Sequence, residues 1–290
     1  MSLRQERSGA DIWPVGVAIL AMAGFQSGAA LGKTLFPAVG PEGATALRVG
    51  LSAVMMNLAA RSWRGPLPAV ALRPLLVYGL TLAGLNGFFY HALKTVPLGI
   101  AVAIDFLGPL GVALAHSRQP SDAMWGLLAA AGLVLLLPGG GGFGGLDPAG
   151  LAWCLAAAVS WAAYILAGRR VGLLLPPVRA TALGMVVATA AVLPFGVAAA
   201  GPALLDPAIL PLALAVAVLS SALPYTLEMI AMTRLPARLF GVLMSLEPAL
   251  AALFGFLVLS EALMGRQLVA IGCVVAACAG ATVTASRRRA

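Results

Sequence analysis

Apolar runs of about 20 residues recur from one end of this 290-residue chain to the other. A helix of that length spans about 30 Å, the thickness of a bilayer's hydrocarbon core. Hydrophobic residues make up 61% of the chain and charged residues only 10%, where a soluble domain carries about 25% charged residues. No stretch is polar and long enough to form a separate soluble domain. The chain therefore reads as an all-α integral membrane protein, a bundle of helices embedded in the lipid bilayer.

The pattern predicts ten transmembrane helices, at residues 12–34, 42–61, 73–93, 97–116, 122–138, 148–168, 178–200, 208–231, 237–259 and 264–285. Turn chemistry falls between them: Pro37 and Pro41, Gly65-Pro66, Pro120, the run Gly139–Gly145, Pro176-Pro177, Gly201-Pro202 and Pro236. Arg4 and Arg7 before the first apolar run resemble a signal peptide. The run is too long for a signal core and no clear cleavage site follows, so a retained first helix is expected. The Gly139–Gly145 run lacks the Lys-Ser/Thr that completes a phosphate-binding loop, and reads as a connector. Cys154, Cys273 and Cys278 lie in apolar helices without zinc spacing and read as packing residues.

The net charge of +8 does not point to nucleic acid, because the basic residues sit singly or in small groups between apolar runs. Threading ten helices puts fourteen of them on one side: Arg4, Arg7, Arg61, Arg64, Arg73, Arg118, Arg169, Arg170, Arg179, Arg234, Arg238 and Arg287–Arg289. The other side holds Lys33, Lys94 and Arg266, and Arg48 lies inside the second helix. Positive charge collects on the cytoplasmic side. The expected protein is multi-pass, in the cytoplasmic (inner) membrane, with both termini in the cytoplasm.

Two stretches break the apolar monotony, Thr95–Pro109 and Arg234–Pro248. Aligned without gaps, Ala92–Leu114 and Ala231–Leu253 match Pro97 to Pro236, Leu107 to Leu246 and Pro109 to Pro248. Each carries one carboxylate, Asp105 or Glu247, one helical turn apart on corresponding faces. Ten helices divide into five and five, and an odd number makes the second half run opposite to the first. Two inverted five-helix repeats are expected, a transporter architecture whose site lies near the midplane.

An Asp at a helix centre in the membrane costs roughly 2.5–3.5 kcal/mol on translocon scales. Asp105 is a candidate for substrate binding or proton coupling, with a structural hydrogen bond to a neighbouring helix as the rival reading. Glu247 stands before Pro248, which frees a carbonyl one turn back; it is a second candidate, or part of a helix break. Arg48 is a carboxylate clamp, a partner for an acid, or an interfacial anchor on a snorkelling stem. Gln26, Asn86, Tyr164 and Trp161 are walls of a cavity if the first, third, fourth, sixth, eighth and ninth helices line one; otherwise they bond across helices. Lys33 reads as snorkelling, His91 as a satisfied interfacial histidine, Glu228 as a partner of Arg234, and Glu261 as structural.

These motifs resemble the drug/metabolite transporter superfamily, whose members carry two five-helix EamA-type repeats, and within it the threonine/homoserine exporter branch. The resemblance rests on GAALGKTLFP (Gly28–Pro37), TALRVGL (Thr45–Leu51) and VPLGIAVAIDFLGPL (Val96–Leu110). In the second half it rests on SSALPYTLEMIAMTRLPARLFGVLMSLEPALAA (Ser220–Ala252) and LSEAL (Leu259–Leu263). It covers nearly the whole chain, with residues 1–140 as the first EamA-type repeat and residues 146–290 as the second. The branch usually has a glutamate where this chain has Asp105, and the superfamily usually has glycine where it has Ser260. The resemblance implies a secondary active transporter exporting small neutral amino acids across the cytoplasmic membrane in exchange for protons. Export of another small metabolite or a drug is the alternative. An intramembrane enzyme would need a nucleophile–base pair or a metal cluster, and the chain has two histidines and no HExxH. No cofactor and no ATP-binding motif are found, so uphill transport must draw on an ion gradient.

The charge pattern makes a topological prediction. A cysteine introduced at Gly141, in a background lacking the native cysteines, reacts with an impermeant thiol reagent from outside intact cells. Labelling only after lysis contradicts both the orientation and the inverted halves.

Overall fold

The computed structural model describes residues 13–115, 120–136, 147–224, 227, 231, 234–235 and 243–287. All regular structure among them is helical, as lipid demands of a chain that must satisfy its backbone groups internally. The helices are α1 (Trp13–Lys33), α2 (Phe36–Ala60), α3 (Ala69–Ala92), α4 (Leu98–Asp105), α5 (Leu107–Ala115) and α6 (Pro120–Leu136). The second half holds α7 (Pro148–Gly172), α8 (Pro177–Ala200), α9 (Leu210–Ala217) running into a π-helical turn (Val218–Ala222), α10 (Glu247–Leu259) and α11 (Gly265–Arg287). The Gly139–Gly145 connector and Pro236 lie outside the described residues.

Among the described residues, five helices are long and apolar enough to cross a membrane: Trp13–Lys33, Phe36–Ala60, Ala69–Ala92, Pro148–Gly172 and Val178–Leu205. Shorter apolar helices occupy Leu98–Val112, Ala123–Gly132, Leu210–Ala222, Glu247–Leu259 and Gly265–Gly280. Large apolar side chains such as Leu127, Val159, Phe195 and Phe256 stay exposed on the outside of the bundle, the surface that lipid covers.

Several boundaries differ from the sequence reading. The second helix begins at Phe36 and bends at Gly40, whose φ of 67° only glycine adopts freely. The third begins at Ala69 and carries Pro74 inside. The predicted helix 97–116 is two pieces, α4 and α5, because Pro109 offers no N–H to the carbonyl of Asp105 and crowds it. The corresponding second-half break falls at Ser245–Leu246, just before Pro248.

The helices pack across the two halves of the chain. α2 lies against α8, α6 against α11 and α4 against α10. α3 lies against α7, as α1 lies against α9 and the π turn; α1 also meets α10, as α7 meets α4 and α5. At Gly99 the approach of α4 to α10 is so close that a Cβ would come within 2.6 Å of Ala252 Cα.

The end of α10 fixes the start of α4. Ser260 sits in the left-handed region, with φ 56° and ψ 30°, and the N–H of Glu261 donates to Gly255 O at 3.0 Å. This Schellman-type turn sends Glu261 back across the bundle. Its carboxylate pairs with Lys33 Nζ at 2.5 Å and accepts the Leu98 N–H at 2.7 Å. That N–H is one of the orphan donors at the start of α4, so Glu261 ties the ends of α1, α4 and α10 together.

A left-handed serine is strained where glycine is not. Ser260→Gly is expected to stabilise the protein by about 1 kcal/mol, read as a higher melting temperature in detergent. An unchanged or lower melting temperature contradicts the strain.

Candidate functional site

All seven residues singled out in the sequence line one cavity of about 180 Å³: Gln26, Arg48, Asn86, Asp105, Trp161, Tyr164 and Glu247. α1 reaches it because Gly24 and Gly28, four residues apart, form the face packed on Leu219–Pro224. Gln26, about half a turn round the helix, then faces the other way. α2 supplies Arg48, α3 supplies Asn86, and the break between α4 and α5 supplies Asp105. α7 contributes Trp161 and Tyr164. Glu247 is the first residue of α10, where the positive end of the helix dipole favours a carboxylate.

The two carboxylates are buried, with 5% of Asp105 and 6% of Glu247 exposed. Gln26 Nε2 donates to Glu247 Oε1 at 2.9 Å, and Gln26 Oε1 has no hydrogen-bond partner among the described residues. Asp105 Oδ1 likewise has none. Unmet buried acceptors are costly, so the cavity is short of donors on this side. Asn86 Nδ2 donates to Leu82 O on its own helix at 2.8 Å. The Gln26 and Asn86 bonds each use one N–H of the amide NH₂ group and leave the second.

Arg48 occupies a different environment. Its Nε donates to Ser220 Oγ at 2.8 Å, and Nη2 lies 3.5 Å from Ser220 O. The Tyr90 ring centroid is 5.0 Å from its Cζ, a cation–π distance. The ion pairs among the described residues are Lys33–Glu261 and His91–Glu42; Arg48 forms none with Asp105 or Glu247. Of the readings open in the sequence, an acid partner for Arg48 is therefore not realised in this structure.

Aromatic rings complete the walls. Phe106 meets Trp161 edge-on at 4.9 Å. Tyr164 stacks on Tyr78 at 4.9 Å and accepts a hydrogen bond from its hydroxyl at 3.1 Å. Among the described residues the eighth predicted helix adds no wall to the cavity, and its Ser220 accepts from Arg48.

Residues 148–283 match the model of the EamA-like transporter family. The threonine/homoserine exporter RhtA of Salmonella typhimurium (strain LT2) is 49% identical over 277 residues, covering 95% of this chain and 94% of that protein. RhtA of Escherichia coli (strain K12) is 48% identical over 274 residues, covering 94% of this chain and 92% of its own. The chain belongs to the EamA-like transporter family. A crystal structure of a protein 25% identical in sequence superposes with a TM-score of 0.61, covering 96% of this chain and 99% of that one. The RhtA relatives of this EamA-family chain are transporters by name, not enzymes.

Other charged residues of the EamA-family chain fall outside the cavity. Lys33, read as snorkelling, pairs with Glu261 instead. His91 Nδ1 lies 3.1 Å from Glu42 Oε1, and its ring packs 4.7 Å from that of Trp153, the satisfied state expected of it. Glu228 lies outside the described residues. Ser220 was missed: it stands in a quoted motif, but a serine in an apolar run carries no signal of what it touches.

Proposed function

We propose that this protein is a secondary active transporter that exports small neutral amino acids, threonine and homoserine among them, across the cytoplasmic membrane in exchange for protons. One observation carries the reading: a single small cavity presents two carboxylates and an arginine that forms no ion pair with either. An amino acid is a zwitterion, and each of its charges must be matched on leaving water, at a cost otherwise of several kcal/mol per ion. Asp105, with Glu247, receives the ammonium. Arg48 receives the carboxylate, for which its planar guanidinium is suited. The RhtA names carry the same substrate class, and a cavity of about 180 Å³ falls below the roughly 300–1,000 Å³ of drug-sized sites.

Two ionised carboxylates in one cavity repel each other. A substrate ammonium or a proton relieves that repulsion, and the two compete for the same oxygens. Competition of this kind couples amino acid leaving in one direction to protons entering in the other.

The architecture in this reading has ten spans, with both termini cytoplasmic, in two inverted repeats: residues 1–140 and residues 146–290. Its support is the packing, in which exchanging the halves maps α2–α8, α6–α11 and α4–α10 onto themselves and α3–α7 onto α1–α9. The breaks before Pro109 and Pro248 also fall at aligned residues. Discontinuous helices that carry the binding groups are a feature of transporters built from repeats.

Cells loaded with threonine or homoserine should release them faster when they make this protein. Release of a structurally unrelated compound alone would support the drug or metabolite alternative. On purified protein, Arg48→Gln should weaken threonine binding about thirtyfold or more, the lower range for truncating one side of a hydrogen-bonded charge pair, and weaken the amino alcohol threoninol much less. Equal weakening of both makes Arg48 a structural support. No weakening of either makes it an anchor and overturns the site.

A further inference from the structure

We infer that Ser220 is the positioning residue that aims Arg48 at the carboxylate of the substrate, and that the π-helical turn around it exists to bring it there. The inference rests on the reading of Arg48 as the carboxylate clamp. Ser220 is wholly buried and does not line the cavity; it acts through Arg48.

The turn Val218–Ala222 closes with the i→i+5 hydrogen bond from Leu223 N–H to Val218 O. One extra residue in a helix rotates everything after it by about 100°. Ser220 stands at the middle of this widened turn, on the side where it meets Arg48 of α2. The turn is held on its far side by α1, where a Cβ on Gly28 would lie 2.6 Å from Ser220 N. On the near side α2 holds it twice: Ser52 Oγ donates to Ala217 O at 3.4 Å, and Arg48 reaches Ser220 one turn away.

Arginine has five N–H donors in a rigid fork. Ser220 takes Nε and flanks Nη2, while the Tyr90 ring lies 5.0 Å from Cζ. The edge left over is the one bearing both terminal nitrogens, and a carboxylate fits that edge with two parallel hydrogen bonds. A long, flexible side chain rich in rotamers is thus held in one orientation before the ligand arrives.

Binding of threonine and threoninol to four purified forms tests this: wild type, Ser220→Ala, Arg48→Gln and the double variant. Ser220→Ala should weaken threonine about three- to tenfold and threoninol less than twofold. In the Arg48→Gln background Ser220→Ala should add no further loss, because the two act as one unit. A serine with only a structural role would weaken both ligands, and by the same factor in both backgrounds; that result overturns the inference. Ser220→Cys keeps the volume but offers only a weak acceptor; should Ser220→Ala fail to fold, it should reproduce the selective loss, and full retention of selectivity in it overturns the inference. If Arg48→Gln leaves the threonine-to-threoninol ratio unchanged, the clamp itself fails and this inference falls with it. If only Ser220→Ala does, the clamp stands and Ser220 is dismissed.

Discussion

Buried charge in an apolar bundle is the constraint on which this structure depends. Buried Asp105 and Glu247 and half-buried Arg48 meet one cavity inside a chain that is 61% hydrophobic. Each of these groups costs several kcal/mol to take out of water unless it finds partners. Glu247 has the Gln26 amide and the start of α10; Arg48 has Ser220 and Tyr90. Asp105 keeps an oxygen without a partner. Among the described residues that oxygen is unmet, in a bundle where the rest of the packing is apolar. Under the proposed function an ammonium or a proton meets it.

The helix breaks serve the same end. Pro109 and Pro248 interrupt the two helices that carry the carboxylates, one at Asp105 itself and the other just before Glu247. Around them, small residues let helices approach: Gly28 against Ser220, Gly99 against Ala252. In lipid there is no hydrophobic force between helices, so close backbone contact and polar bonds must hold the bundle. Glu261 adds one such tie by capping α4 and pairing with Lys33. The helix bearing Asp105 is thereby anchored at its start and broken at its end.

Much of the site was legible because charge and amide groups are rare in this chain. Asp105, Glu247, Arg48, Gln26 and Asn86 stand out against apolar neighbours, and all five reach the cavity together with Trp161 and Tyr164. What stayed hidden depends on local backbone geometry. The role of Ser220 follows from a π turn, and the pairing of Lys33 with Glu261 follows from the left-handed turn at Ser260. Neither register has a signature in residue spacing. The resemblance did mark position 260 as unusual, and the structure supplies the reason glycine suits it. Helix positions were legible from hydropathy, whereas the bend at Gly40 and the break at Phe106 appeared only as prolines nearby.

The central claim is that substrate and proton meet at Asp105. The most direct measurement is threonine transport into liposomes holding purified protein, with and without an imposed pH gradient, for wild type and Asp105→Asn. The side chain of asparagine is close in size and cannot exchange a proton at neutral pH. The account predicts that Asp105→Asn folds and inserts but loses transport driven by the gradient. Transport at the wild-type rate, with the same dependence on pH, would contradict it.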